Sequence, residues 1–175
     1  MATRRATFLA QNDGKSFSYV TDSSFGENIY RHRYSGESTK TFCKGIVLKW
    51  YKEKSRYDWK SQNGVGVDSR RFAQIVWNST LRVGCASVAS IRETGHVFTV
   101  CSYYNSDKFP ANSSQNIMSV EKCDQKLSQR VFKYKVLTNG GWLQNCIEEH
   151  NRIRKLHSVE PLSIENEVSP QKYLF

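Results

Sequence analysis

The residue whose position most demands a chemical explanation is Glu53. Residues 39–57 place Phe42, Cys43, Ile46, Val47, Trp50 and Tyr57 at the spacing of an amphipathic helix. Glu53 follows Trp50 by three residues and Ile46 by seven, so it projects from the apolar side. A carboxylate there is costly unless it is paired, faces a cleft, or lies at the helix edge with its head in water. Five cysteines, Cys43, Cys85, Cys101, Cys123 and Cys146, show no C-x-x-C spacing, which argues against zinc. Their odd number leaves at least one thiol unpaired within a monomer. His32, between Arg31 and Arg33, and His96, at the start of a strand, read as solvated surface residues rather than ligands. No spacing of Ser, His and Cys marks a catalytic triad, so an enzyme is not expected.

The elements that must position these residues follow from periodicity. Two alternating stretches, LRVGCASVAS and HVFTVCSYY, flank Arg92-Glu93-Thr94-Gly95 and predict a β-hairpin. A turn centred on Glu93 sets Cys85 opposite Cys101, near enough for a disulfide, although two buried free thiols in a reducing compartment fit equally. The last 35 residues open with GGWLQNCIEEHNRIRKLH, where Trp142, Leu143, Cys146, Ile147, Ile153 and Leu156 take helical spacing. Glu148 and Arg152 form an expected i, i+4 pair, and Ser158 to Pro161 stops the helix. A second short helix is expected near Ser163, interrupted by Pro170. Asn112 to Ser128, rich in Ser, Asn, Gln and Lys, reads as a linker or loosely held loop.

The chain has 175 residues, favouring one domain, and its 38% apolar content suffices for a globular core. Its net charge is +10, and all of the excess lies before residue 141. Lys40, Lys44, Lys49, Lys52, Lys54, Arg56 and Lys60 fall on or beside one helix, as a wet face or as an attractor of anionic headgroups or nucleic acid. Nucleic acid is an unlikely partner, having charge behind it and no motif. No apolar run reaches the roughly 18 residues of a membrane span and the first residues do not read as a signal peptide, so a soluble chain, cytoplasmic as written, is the expectation. Asn78-Ser79-Thr80 and Asn112-Ser113-Ser114 match the glycosylation pattern but are expected to be unused.

Four stretches together resemble the CAP superfamily of cysteine-rich secretory proteins, antigen 5 and pathogenesis-related proteins. Gly26-Glu27-Asn28-Ile29-Tyr30 resembles the G-E-N signature, and Trp50-Tyr51-Lys52-Glu53 the W-Y-x-E helix. Arg71-Phe72-Ala73-Gln74-Ile75-Val76-Trp77, continued by Val83-Gly84-Cys85-Ala86, resembles H-F-T-Q-[VL]-V-W with V-G-C-A. Val100-Cys101-Ser102-Tyr103 resembles the [VI]-C-x-Y strand. The family's opening helix motif is displaced to the far end, as His150-Asn151-Arg152-Ile153-Arg154-Lys155-Leu156-His157, while Arg5 to Ala10 reads like the point where that region resumes. Residues 1–112 therefore resemble a CAP domain lacking its first helix, 113–140 a linker, and 141–175 the N-terminal helical segment of a CAP domain. A slice of a tandem array is the simpler origin; a circular permutant is the other.

The resemblance implies an α+β fold, an α-β-α sandwich with a small, mainly antiparallel sheet. It also implies a cleft in which two histidines and two glutamates hold a divalent metal. Here Glu27 and Glu53 match the acidic members, but Arg71 occupies one histidine position and the other falls near Tyr19. No metal or other cofactor is therefore expected, and Arg71 is free to pair with Glu27 or Glu53. Asn28, Trp50, Gln74, Trp77, His150, Asn151 and Arg154 are motif residues, the histidines taken as structural. The implied function is a non-catalytic module binding a sterol, an anionic lipid or a protein, including a second copy through a helix swap. The alternatives are a metal-dependent hydrolase using Glu27 and Glu53, or a basic nucleic-acid binder. Family members are mostly secreted, so the compartment stays open.

Overall fold

The computed structural model describes residues 1–12, 25–33, 39–61, 65–90, 95–105, 113–119 and 141–164. Helix α1 (Ala2–Gln11) turns Ala2, Ala6, Leu9 and Ala10 inward. That i, i+4, i+7, i+8 spacing gives one apolar stripe, and it packs on Ile29, Phe98 and Val100 of the sheet. The sheet contains β1 (Phe25–Arg33), β2 (Thr80–Ala89), β3 (His96–Asn105) and β4 (Ser163–Ile164), ordered β1-β3-β2-β4. The first two pairings are antiparallel, and the short β4 joins β2 in parallel. Alternation along β3 sends Phe98 and Val100 toward α1 and Cys101 and Tyr103 toward the opposite layer.

That opposite layer holds α2 (Thr39–Tyr51), α3 (Arg70–Val76) and α5 (Gly141–Leu156), with the short α4 (Ser113–Asn116) preceding α5 in the chain. Its core includes Cys43, Ile46, Val47, Trp50, Phe72, Ile75, Trp77, Ile147 and Ile153. The molecule is thus an α+β fold in three layers, helix, sheet and helices. The hairpin takes the expected register, with Cys85 opposite Cys101, and Gly95 supplies a φ of 84° at its turn.

Several expectations are corrected. Helix α2 ends at Tyr51, and Lys52–Arg56 tightens into a 3-10 segment that carries Glu53. Arg152 bonds Glu149 rather than Glu148, which accepts instead from Gln144. Leu156 ends α5 at 38% exposure, beyond the packed part of the helix. Residues near Ser163 form β4, not a helix. Residues 113–119 are packed: Ser113, Asn116 and Ile117 are buried, and Asn78 N–H donates to the Asn116 carbonyl. His32 is half-buried and stacks on Tyr30, with burial, Lys49 and His96 pulling its pKa down to about 4. His96 is likewise half-buried.

Candidate functional site

Strand β1 carries the first carboxylate. Glu27 points to the α1 side, where its side chain is 4% exposed and Arg5 Nε lies 3.3 Å from Oε2. Burial raises the Glu27 pKa, and the Arg5 charge opposes that shift. The next residue points the other way. Asn28 is buried and donates through Nδ2 to the Arg71 carbonyl and to the Tyr103 hydroxyl. Gly26 permits this approach, because Gln74 lies against it: a Cβ there would stand 1.9 Å from the Gln74 Oε1.

Glu53 is buried and takes two bonds from one residue. The Arg71 backbone N–H donates to Oε2 at 3.0 Å and Arg71 Nε to Oε1 at 2.6 Å. The carboxylate thus fixes the start of α3 and meets a charge-assisted partner. Arg71 remains 40% exposed, so the pair sits at the surface end of a buried anchor. The two carboxylates are therefore neutralised separately, Glu27 against α1 and Glu53 against α3. Tyr19 lies outside the described residues.

These donors do not fit a divalent metal. Each carboxylate is already committed to a guanidinium, Glu27 to Arg5 and Glu53 to Arg71. Among the described residues, no group of three or more His, Cys, Asp or Glu side chains gathers as a metal would require.

The C-terminal polar motif is consumed differently. His150 is fully buried between two partners: Nδ1 must donate to the Cys146 carbonyl, so Nε2 accepts from the Tyr103 hydroxyl at 2.7 Å. A chain of donors results, Asn28 to Tyr103 to His150 to the Cys146 carbonyl. His157 repeats the pattern, donating to the Met118 carbonyl and accepting from the Tyr51 hydroxyl. Asn151 closes a reciprocal pair with the Leu162 backbone at 2.7 and 3.2 Å. Arg154 donates to the carbonyls of Ile75, Trp77, Thr80 and Glu160. Its guanidinium gathers the exit from α3 and the start of β2, where helix-end carbonyls lack partners of their own. Trp50 and Trp77 are buried in the same layer.

Four parts of this arrangement were not anticipated from the sequence. Arg5 as the Glu27 partner carries no sequence signal, because the pair spans 22 residues across two elements. Tyr51 and Tyr103, as donors to the two histidines, are hidden by the same long separations. The fourth part is the disulfide between Cys43 and Cys146, which joins α2 to α5 beside the Cys85–Cys101 bond of the hairpin. Its signal was present, since both cysteines lie on the apolar faces of helices.

Comparison with known proteins gives this geometry its family. A sequence profile of CAP, the cysteine-rich secretory protein family, matches residues 1–103. The chain belongs to the CAP family. The basic form of pathogenesis-related protein 1 from Nicotiana tabacum is 32% identical over 83 residues, 47% of this chain and 46% of that protein. Pathogenesis-related protein 1A1 from Solanum lycopersicum is 31% identical over 84 residues, covering 47% and 44% respectively. The chain thus matches less than half the length of these relatives. The solved structure of BmVAL-1 is 19% identical, with a TM-score of 0.44 over 62% of this chain and 55% of that one.

Proposed function

We propose that this CAP chain is a non-catalytic binding module whose ligand is an anionic lipid surface, taken by the cationic face of α2 and the 3-10 segment after it. The observation that carries the non-catalytic half is the separate ion pairing of Glu27 and Glu53, which leaves neither carboxylate placed to act on a substrate. The histidines of the C-terminal motif are equally committed, each filled at both nitrogens. The lipid half rests on charge: Lys44, Lys49, Lys52, Arg56 and Lys60 are exposed on α2 and in the residues that follow it. Two disulfides among the described residues support maturation in an oxidising compartment.

The test is co-sedimentation with phosphatidylserine-containing vesicles and with neutral phosphatidylcholine vesicles. Each near-surface cation contributes about 1 kcal/mol to attraction by an anionic membrane. Charge reversal at Lys52, Arg56 and Lys60 should therefore weaken binding by roughly 100-fold or more. Equal binding to neutral vesicles, or no loss in the triple variant, would overturn the lipid assignment.

A further inference from the structure

A single exposed apolar side chain is ordinary on a protein surface, and Trp59, 42% exposed, is distinguished by how it is held. Asp58 Oδ1 accepts from the backbone N–H groups of Lys60 at 3.0 Å and Ser61 at 3.4 Å, which closes a turn with Trp59 inside it. The indole leans on the Tyr57 ring, with centroids 4.6 Å apart at 67°, and on the Phe72 ring at 6.1 Å and 60°. Tyr57 and Phe72 meet each other at 5.6 Å and belong to the core of the helical layer. Three rings in mutual edge contact thus fix one side of the indole to the interior and hold the rest toward solvent. A side chain seated in this way gives up little freedom when something covers it.

The surrounding charge selects what that cover is. Residues 52–60 carry Lys52, Lys54, Arg56 and Lys60 against Glu53 and Asp58. Both acids are turned to donors of the protein itself, Glu53 to Arg71 and Asp58 to its own turn. Lys52, Arg56 and Lys60 are exposed. An indole with a polar N–H, set among exposed cations, matches the boundary between headgroup and acyl chain. Indoles concentrate at that depth, and anionic headgroups answer the positive charge.

We propose that Trp59 is the apolar anchor of this protein on an anionic lipid surface: its indole enters the headgroup–acyl boundary while Lys52, Arg56 and Lys60 meet the headgroups. This rests on the lipid reading above and adds to it a contact that charge alone does not supply. The two contributions respond differently to salt, because exposed charge is screened and apolar burial is not. Attraction by the cations alone fades at high salt. With the indole seated, part of the binding persists.

The experiment uses the full chain and vesicles of phosphatidylserine with phosphatidylcholine, the latter either plain or brominated along its acyl chains. Bromine quenches any indole that reaches it, so the bound protein should lose Trp fluorescence on the brominated vesicles. Trp59→Phe, which keeps a ring at the position, should lack that quenching among the molecules that still sediment, because Trp50 and Trp77 are buried and Trp142 is half-buried on α5. Trp59→Ser should weaken co-sedimentation roughly tenfold and remove the part that persists at high salt. Vesicle binding with quenching that survives in Trp59→Phe, or with Trp59→Ser binding as tightly as the native chain, would overturn the anchor and leave the cationic face standing. An absence of co-sedimentation with phosphatidylserine vesicles would overturn both.

Discussion

The guanidinium of Arg154 is fully buried, and four backbone carbonyls surround its charge. Burial pulls its pKa down to about 9, so it stays protonated at neutral pH and the carbonyls keep their donors. His150, one turn away, has the opposite balance, because burial favours its neutral form. An unfolded chain takes up a proton on this residue as pH falls through its ordinary value of 6.5, whereas the native chain resists until about 4. The unfolded state therefore binds more protons in that window, and stability falls as pH drops from 6.5 toward 4. The shift corresponds to about 3 kcal/mol from this one side chain. His157, also lowered, adds to the loss. Glu27 works against it, since its raised pKa lets the native state take up a proton first. The expected result is a melting temperature that declines steadily between about pH 6.5 and pH 4.5, with His150→Gln flattening part of the slope. A melting temperature independent of pH across that window would show that His150 is not held neutral.

At the scale of elements, the approach of β1 to α3 depends on Gly26. A methyl group there would overlap the Gln74 amide, and Gln74 is itself 1% exposed with little room to withdraw. Gly26→Ala is expected to cost about 1–3 kcal/mol, the range for overpacking a filled interior, read as a lower midpoint in urea with an unchanged slope. The hairpin was legible because alternation and the turn residues fix one register, and Cys85 opposite Cys101 follows from it. The apolar faces of α2 and α5 were legible for the same reason at the helical period. What escaped has no period. A two-residue strand such as β4 leaves no pattern, and its pairing with β2 comes from the turn that Asn151 pins to Leu162. Glu148 and Glu149 are equivalent by type. The helix directs Glu149 inward, where Lys44 lies 3.8 Å away, and so Arg152 pairs with it. At the candidate site, the expectation that Arg71 pairs with Glu27 or Glu53 was legible, but its choice of Glu53 required the fold. The Tyr19 position lies outside the described residues.

For the whole molecule, the question is whether residues 1–140 hold together without the segment that follows. Ile147, Ile153, Val159 and Leu162 are each at most 2% exposed. Burial of such side chains is worth about 1.5–3 kcal/mol each, or about 6–12 kcal/mol for the four. The Cys43–Cys146 bond, across a sequence separation of 103, adds about 4–5 kcal/mol in the chain-entropy account. A whole domain of this size is stable by about 5–15 kcal/mol, so the segment supplies as much as the fold can lose. Its removal also leaves the carbonyls of Ile75, Trp77 and Thr80 without their Arg154 donors and the Tyr103 hydroxyl without its acceptor. A chain ending at Gly140 should therefore show no cooperative thermal transition and should partition into the insoluble fraction when expressed. A sharp transition near that of the full-length chain would mean that α5 is an appendage and that residues 1–140 already close their own core.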